Sequence, residues 1–265
     1  MKKALLLLCI SVLFGSSQLL NAQCYGTIHY DQSTSANGNS SFSISTTFCN
    51  ELILISYDGW VGPGSGPVKV DGNAATHLAT ANVNLLSPSS GAAETYAYIA
   101  PVAGAHNIVC TETGNFNPYY LNQAADFYVT GTSNPLTIAS LTFTTNTTSC
   151  QTGGPVTGTI NTVIPNSYIY TNIEWNTGIP GPDPVTFVGG THIGDFHIGN
   201  GITVGDAYTA ATSAGAYSIT GTNTANNSAC GGSDIILVAI PPPLCTSTMS
   251  VTTVDNPPSC GNNNG

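Results

Sequence analysis

Arginine is absent from this sequence, and lysine occurs only at positions 2, 3 and 69. That scarcity excludes whole classes of partner. Non-specific binding to nucleic acid needs several Lys or Arg side chains to displace counterions from phosphates. Recognition of phosphate or sulfate groups leans on guanidinium forks. Neither can be assembled here. Charge of any kind is scarce: charged residues make up 6% of the 265 positions, against roughly 25% in ordinary domains. The 13 acidic residues give a net charge of −10.

Other absences narrow the chemistry. No segment keeps a 3.6-residue apolar period over three turns, and 16 scattered prolines break most candidate helices. No second apolar run is long enough to cross a membrane, since "DIILVAI" at 234–240 has only strand length. There is no G-x-S-x-G elbow: Ser65 in "PGSGP" has Pro63 and Pro67 where glycines would stand. H-E-x-x-H and phosphate-cradling loops are missing. No C-x-x-C pair exists, which removes zinc-ribbon readings.

What is present points outward from the cell. Lys2 and Lys3 precede a short apolar stretch from Leu5 to Phe14, and small residues run to Asn21-Ala22. This reads as a signal peptide over residues 1–22, cleaved to leave Gln23 at the N-terminus. An exported chain favours disulfides. Cys24, Cys49, Cys110, Cys150, Cys230 and Cys245 are the candidates, with Cys260 left as the odd one. Spacing leaves their pairing open.

Strand signals recur from "SFSIST" (41–46) to "DIILVAI", rich in Val, Ile, Tyr, Phe and Thr and separated by Gly, Pro and Asn clusters. With 41% hydrophobic residues the composition is not that of a disordered chain. The expected fold is all-β: an antiparallel sandwich of jelly-roll or Ig-like type, stabilised by disulfides, over residues 23–239. No clean internal repeat divides it. "ELILIS" after Cys49 and "DIILVA" after Cys230 echo each other, and their nearly continuous apolar runs predict central strands buried on both faces. Neighbouring placement would let those two cysteines bond. Asp71-Gly72 predicts a tight hairpin turn. A proline-rich linker is expected over 240–248, followed by a single strand at the start of a new unit over 249–265.

Candidate sites are sparse. His192, Asp195 and His197 in "THIGDFHIGNG" are metal-ligand types, and a bulge or turn at Gly194 would bring all three together. Calcium or another divalent metal is the cofactor this would imply; otherwise none is expected. Trp60, Tyr119, Tyr120 and Trp175 are aromatics that, if exposed, could stack on sugar rings. Glu174, Glu94 and Asp195 are carboxylates that no spacing pairs for sugar hydrolysis, and surface or loop positions are expected for them.

The stretch "MSVTTVDNPPSCGNNNG" (249–265) resembles the opening of the SprB-type repeat of bacterial gliding-motility adhesins. "ELILISYDG", "VKVDGNAAT" and "YAYIAPVAGAHNIVC" resemble a family of exported bacterial β-sandwich modules without assigned catalysis. These resemblances imply a truncated Ig-like repeat after the sandwich, with the partner of Cys260 in the missing part. They also imply further repeats of the same polypeptide and a place at the bacterial cell surface. The function they imply is non-enzymatic adhesion, touching an extracellular glycan or a surface protein. A carbohydrate-active enzyme and a purely structural spacer are the alternatives.

Overall fold

The computed structural model describes residues 24–37, 41–59, 68–83, 91–111, 120–148, 155–176, 185–198, 202–223 and 233–245. Residues 1–22, where a signal peptide is expected, and residues 249–265 lie outside them. Nearly everything described is strand. The first half comprises β1 (Thr27–Asn37), β2 (Phe42–Thr46), β3 (Glu51–Gly59), β4 (Val68–Val70), β5 (Asn73–Ala74), β6 (Thr76–Val83), β7 (Gly91–Ala100), β8 (Gly104–Cys110) and β9 (Tyr120–Thr130). The second comprises β10 (Thr142–Thr148), β11 (Val156–Thr162), β12 (Ser167–Asn176), β13 (Val185–Val188), β14 (Thr191–Ile198), β15 (Ile202–Ala211), β16 (Gly215–Asn223) and β17 (Ser233–Ile240). All pairings are antiparallel, and the all-β sandwich expected from sequence is what forms.

The expectation of one large sandwich is refined. The first half builds a five-stranded sheet, β1-β9-β3-β7-β6, and a smaller one, β2-β8-β4-β5. The second half builds β10-β17-β12-β15-β14 and β11-β16-β13. Replace each strand of one half by its counterpart in the other and the two orders coincide, apart from the two-residue β5, which has no counterpart. The molecule is therefore two jelly rolls of the same topology in tandem. Local detail repeats too. Thr46 donates to the carbonyl of Gly104 at 3.4 Å, and Thr162 donates to that of Gly215 at 3.4 Å. Asn50 and Asn166, each four residues on, adopt left-handed φ of 61° and 59°, a turn conformation that Asn tolerates better than most residues.

The halves pack through their five-stranded sheets, giving four layers. One core lies inside each jelly roll, around Ile53, Ile55, Val70 and Ile108 in the first and Ile169, Ile173, Trp175 and Ile235 in the second. A third joins the halves, with Leu52, Leu54 and Phe127 against Tyr170, Ile236 and Val238. This explains "ELILIS" and "DIILVAI". Strands β3 and β17 sit inside central sheets and are covered on both faces, so alternation disappears. At about 1.5–3 kcal/mol per fully buried Leu, Ile or Phe, the shared core is a major part of the stability.

The two strands of the apparent echo belong to different sheets, and Cys49 carries no disulfide; nor does Cys110. The bond that forms is Cys24–Cys245, across a sequence separation of 221. Tyr25 bridges Leu244 beside it, and the Gly26 amide donates to the Pro243 carbonyl at 2.9 Å. Residues 241–245 thus return to the N-terminal strand, and the bond cross-ties the two halves. Cys150 and Cys230 lie outside the described residues. Asp71-Gly72 forms the expected turn, with φ of 52° and 81°, between β4 and β5.

Candidate functional site: a buried acidic seam

The central strands share a polarity gradient. On the side facing the other half, β3 reads Leu52, Leu54, Ser56, Asp58, and β12 reads Tyr168, Tyr170, Asn172, Glu174. Strand β17 runs the other way and reads Asp234, Ile236, Val238, Ile240. The apolar ends form the shared core. The polar ends lie at the strand ends that flank segments 38–40, 60–67, 84–90, 112–119, 149–154, 177–184, 199–201 and 224–232. Those segments lie outside the described residues.

The result inverts the usual distribution of charge. Of the 13 acidic residues, Glu51, Asp58, Glu94, Asp126, Glu174, Asp206 and Asp234 are buried, each 3% exposed or less. The expectation that Glu174 and Glu94 lie on the surface is therefore corrected, at 1% and 3% exposure. Four of these carboxyls, on Asp58, Glu174, Asp206 and Asp234, belong to the face between the halves. Asp58 and Glu174 hold equivalent positions in the two jelly rolls, eighth from the start of the paired β3 and β12.

Hydroxyl and amide groups tie the seam across the sheets. Tyr170 donates to Asp206 Oδ2 at 2.5 Å, and Ser56 from the opposite half lies 3.1 Å from Asp206 Oδ1. Ser56 Oγ and Tyr170 Oη are 2.5 Å apart. Asn172 crosses the other way, its Nδ2 donating to Asp58 Oδ1 at 3.0 Å. The Glu94 amide donates to the same oxygen at 3.3 Å. Asp58 Oδ2, both Glu174 oxygens and both amide atoms of Gln123 meet no hydrogen-bond partner.

Among the described residues no lysine or arginine offsets these groups, because Lys69, the lone lysine there, is exposed on β4. Protonation does so instead. Burial pushes Asp206 up to about 7, and the hydrogen bonds from Tyr170 and Ser56 limit the rise. Burial raises Asp58 well above the usual carboxyl range, the Asn172 hydrogen bond works against it, and the charge of Asp206 adds to it. Burial again leads for Glu174, followed by the charges of Asp58 and Asp234. Carboxyls held near neutrality can give or take protons.

The sites expected from sequence are placed differently. Trp175 is 2% exposed, packed in the second jelly roll's core, where Gly221 makes room: a Cβ there would lie 3.0 Å from the indole. It is not available to a ligand. Trp60 and Tyr119 lie outside the described residues, and Tyr120 opens β9, its side chain likewise outside. The bulge expected near Gly194 exists, between His192 and Gly194, and it sets His192, Asp195 and His197 opposite Ala207, Gly205 and Thr203, on one face of β14. The side chains of Asp195 and His197 lie outside the described residues. His192 is exposed and stacks on Phe187 at 5.6 Å. Among the described residues, a compact set of three metal-ligand types occurs elsewhere, at Asp31, Glu51 and Asp126.

Sequence reasoning missed the duplication and the seam. The signal was "APVAGAHNIVCT" (100–111) against "ATSAGAYSITGT" (211–222), which share Ala, Ala-Gly-Ala, Ile and Thr at matched spacing. No family model matches the chain, and no curated protein matches it.

Proposed function

We propose that the chain is a secreted, non-enzymatic binding module of a bacterial surface adhesin, and that its contact surface is the end where both jelly rolls send out their strand-joining segments. The observation that carries this reading is the tandem arrangement itself. Two sandwiches, joined through a shared core, bring to one end the described strand ends that flank eight connecting segments. Binding residues concentrate on loops held by such scaffolds. Trp60 and Tyr119 belong to these segments in sequence, and stacking aromatics with Asn neighbours suit a neutral glycan. The scarcity of charge fits an uncharged partner. Residues 249–265 would lead into further SprB-type repeats; the reading frame beyond Gly265 tests that part, and sequence without Gly/Pro/Tyr-rich repeats would count against it.

A glycan array probed with the exported chain tests the contact. Binding that Trp60→Ala and Tyr119→Ala abolish supports the reading, and a uniformly blank array favours a structural spacer. A second reading, hydrolysis of a glycan, is favoured by one observation: the seam of proton-retaining carboxyls beneath the same segments. Turnover of a polysaccharide that Glu174→Gln or Asp58→Asn abolishes would replace the binding reading with it.

A further inference from the structure

We propose that Asp31, Glu51 and Asp126 form a binding site for a divalent cation of the calcium class, in the first jelly roll only and apart from the seam. One carboxylate oxygen from each residue lies within 4.8 Å of the others. Ca–O bonds of about 2.3–2.6 Å place oxygens on opposite sides of one ion roughly that far apart. An all-oxygen donor set selects calcium or magnesium over zinc or copper.

A second observation stands apart from the clustering. Glu51 and Asp126 are both 0% exposed, and no donor of the protein reaches Glu51 Oε2 or Asp126 Oδ2. Their other oxygens are engaged and hold the side chains in place. The Phe48 amide donates to Glu51 Oε1 at 2.5 Å, and the Gln32 amide donates to Asp126 Oδ1 at 2.9 Å. Thr47 donates to Asp31 Oδ2 at 2.7 Å. Each buried carboxyl thus keeps one oxygen that no protein donor satisfies, inside a compact set of three acidic side chains. Asp31 is half-buried and gives solvent access.

The second jelly roll supplies an internal control. The positions matching Glu51 and Asp126 are Ser167 and Ala239, as the pairings Glu51–Ala100, Ser167–Ala211, Ile53–Asp126 and Ile169–Ala239 show. Strand β1 bulges between Tyr30 and Ser33, bringing in Asp31, whereas β10 runs against β17 without a break. The topology therefore folds without these carboxylates. Their presence in one half is a local addition, set beside a bulge of the kind that re-aims side chains at sites.

The test uses the whole exported chain, stripped of metal with a chelator and titrated with calcium chloride while thermal unfolding and binding heat are followed. One calcium should bind per chain. At about 100 times the Kd, the melting temperature should rise by about 5–10 °C. Asp31→Asn, at a half-exposed position that leaves the fold intact, should weaken calcium binding at least tenfold. Glu51→Gln should remove it. No calcium-dependent shift at millimolar concentration would overturn the proposal. So would a shift that both variants retain.

Discussion

The two jelly rolls share a topology but fill it differently, and the differences separate what the fold requires from what has been added. At one matched pair of positions the first half has Gly59 and Cys110, and the second has Trp175 and Gly221. Volume has been exchanged between adjacent strands, so each core closes around its own solution. At another, the first half has Glu51 and Asp126 where the second has Ser167 and Ala239. The seam is different again. Asp58 and Glu174 occupy the same place in both halves, whereas Asp206 and Asp234 match Thr95 and Leu121, so the acidic end of the interface follows the symmetry of the pair only in part, and the Asp31 cluster breaks it.

Several measurements would break or sharpen this comparison. The largest effect is expected from the Cys24–Cys245 bond, the covalent tie between the halves. In the chain-entropy account, opening a loop of 221 residues costs about 5 kcal/mol. Reduction should therefore lower stability in denaturant by about that much. A loss under 1 kcal/mol would mean the shared core alone holds the halves together.

Next comes the exchanged volume. Trp175→Ala should cost about 3–5 kcal/mol. Gly221→Cys, which installs the first half's residue, should cost about 1–3 kcal/mol through overpacking, because its Cβ would lie 2.3 Å from Ile173. Making both changes together should cost less than their sum. Strict additivity would show that the two positions do not trade space.

Dependence on pH follows with a definite sign. Asp206, Glu51 and Asp126 stand at about 7, 8 and 6, above their ordinary values chiefly through burial, and Asp58 and Glu174 are raised as well. A carboxyl raised in the folded state binds its proton more tightly there than in the unfolded chain. Its stabilising contribution is complete below the unfolded value near 4 and is lost as pH rises through the folded value. In chelator, the melting temperature should therefore fall steadily from pH 4 to pH 8. Glu174→Gln should flatten that fall, and Ser167→Ala, outside both clusters, should not.

The smallest effects test the equivalence of the turns. Asn50→Ala and Asn166→Ala remove the short amide side chain that eases the same left-handed φ and should each cost about 1 kcal/mol. Equal costs in equilibrium unfolding support a true repeat. A several-fold difference would show that one turn is held by contacts the other lacks.

Sequence alone reached the strand content, the Asp71-Gly72 turn and the two-sided burial of β3 and β17, because each leaves a local mark. It did not reach the seam. A carboxylate at an alternating position near a strand end reads as solvent-facing, and it does face solvent when a sheet has one dry side. Here both central sheets are covered twice, so Asp58 and Glu174 keep the alternation but lose the water. Trp175 misled for the related reason that its space is provided by a glycine 46 positions away, Gly221, on a different sheet. The duplication was written in "AGA" at 103–105 and 214–216, yet only the matched sheet orders give those short identities weight.

The central claim is that this protein keeps much of its scarce charge inside, between two matched sandwiches, in carboxyls that stay protonated near neutrality. Infrared or carbon-13 detection of the carboxyl carbonyl across a pH titration measures this directly. The account predicts a protonated carboxylic-acid signal that persists at pH 6 in the folded chain and is diminished in Glu174→Gln and Asp58→Asn. Complete ionisation of every carboxyl by pH 5, in protein still folded, would contradict it.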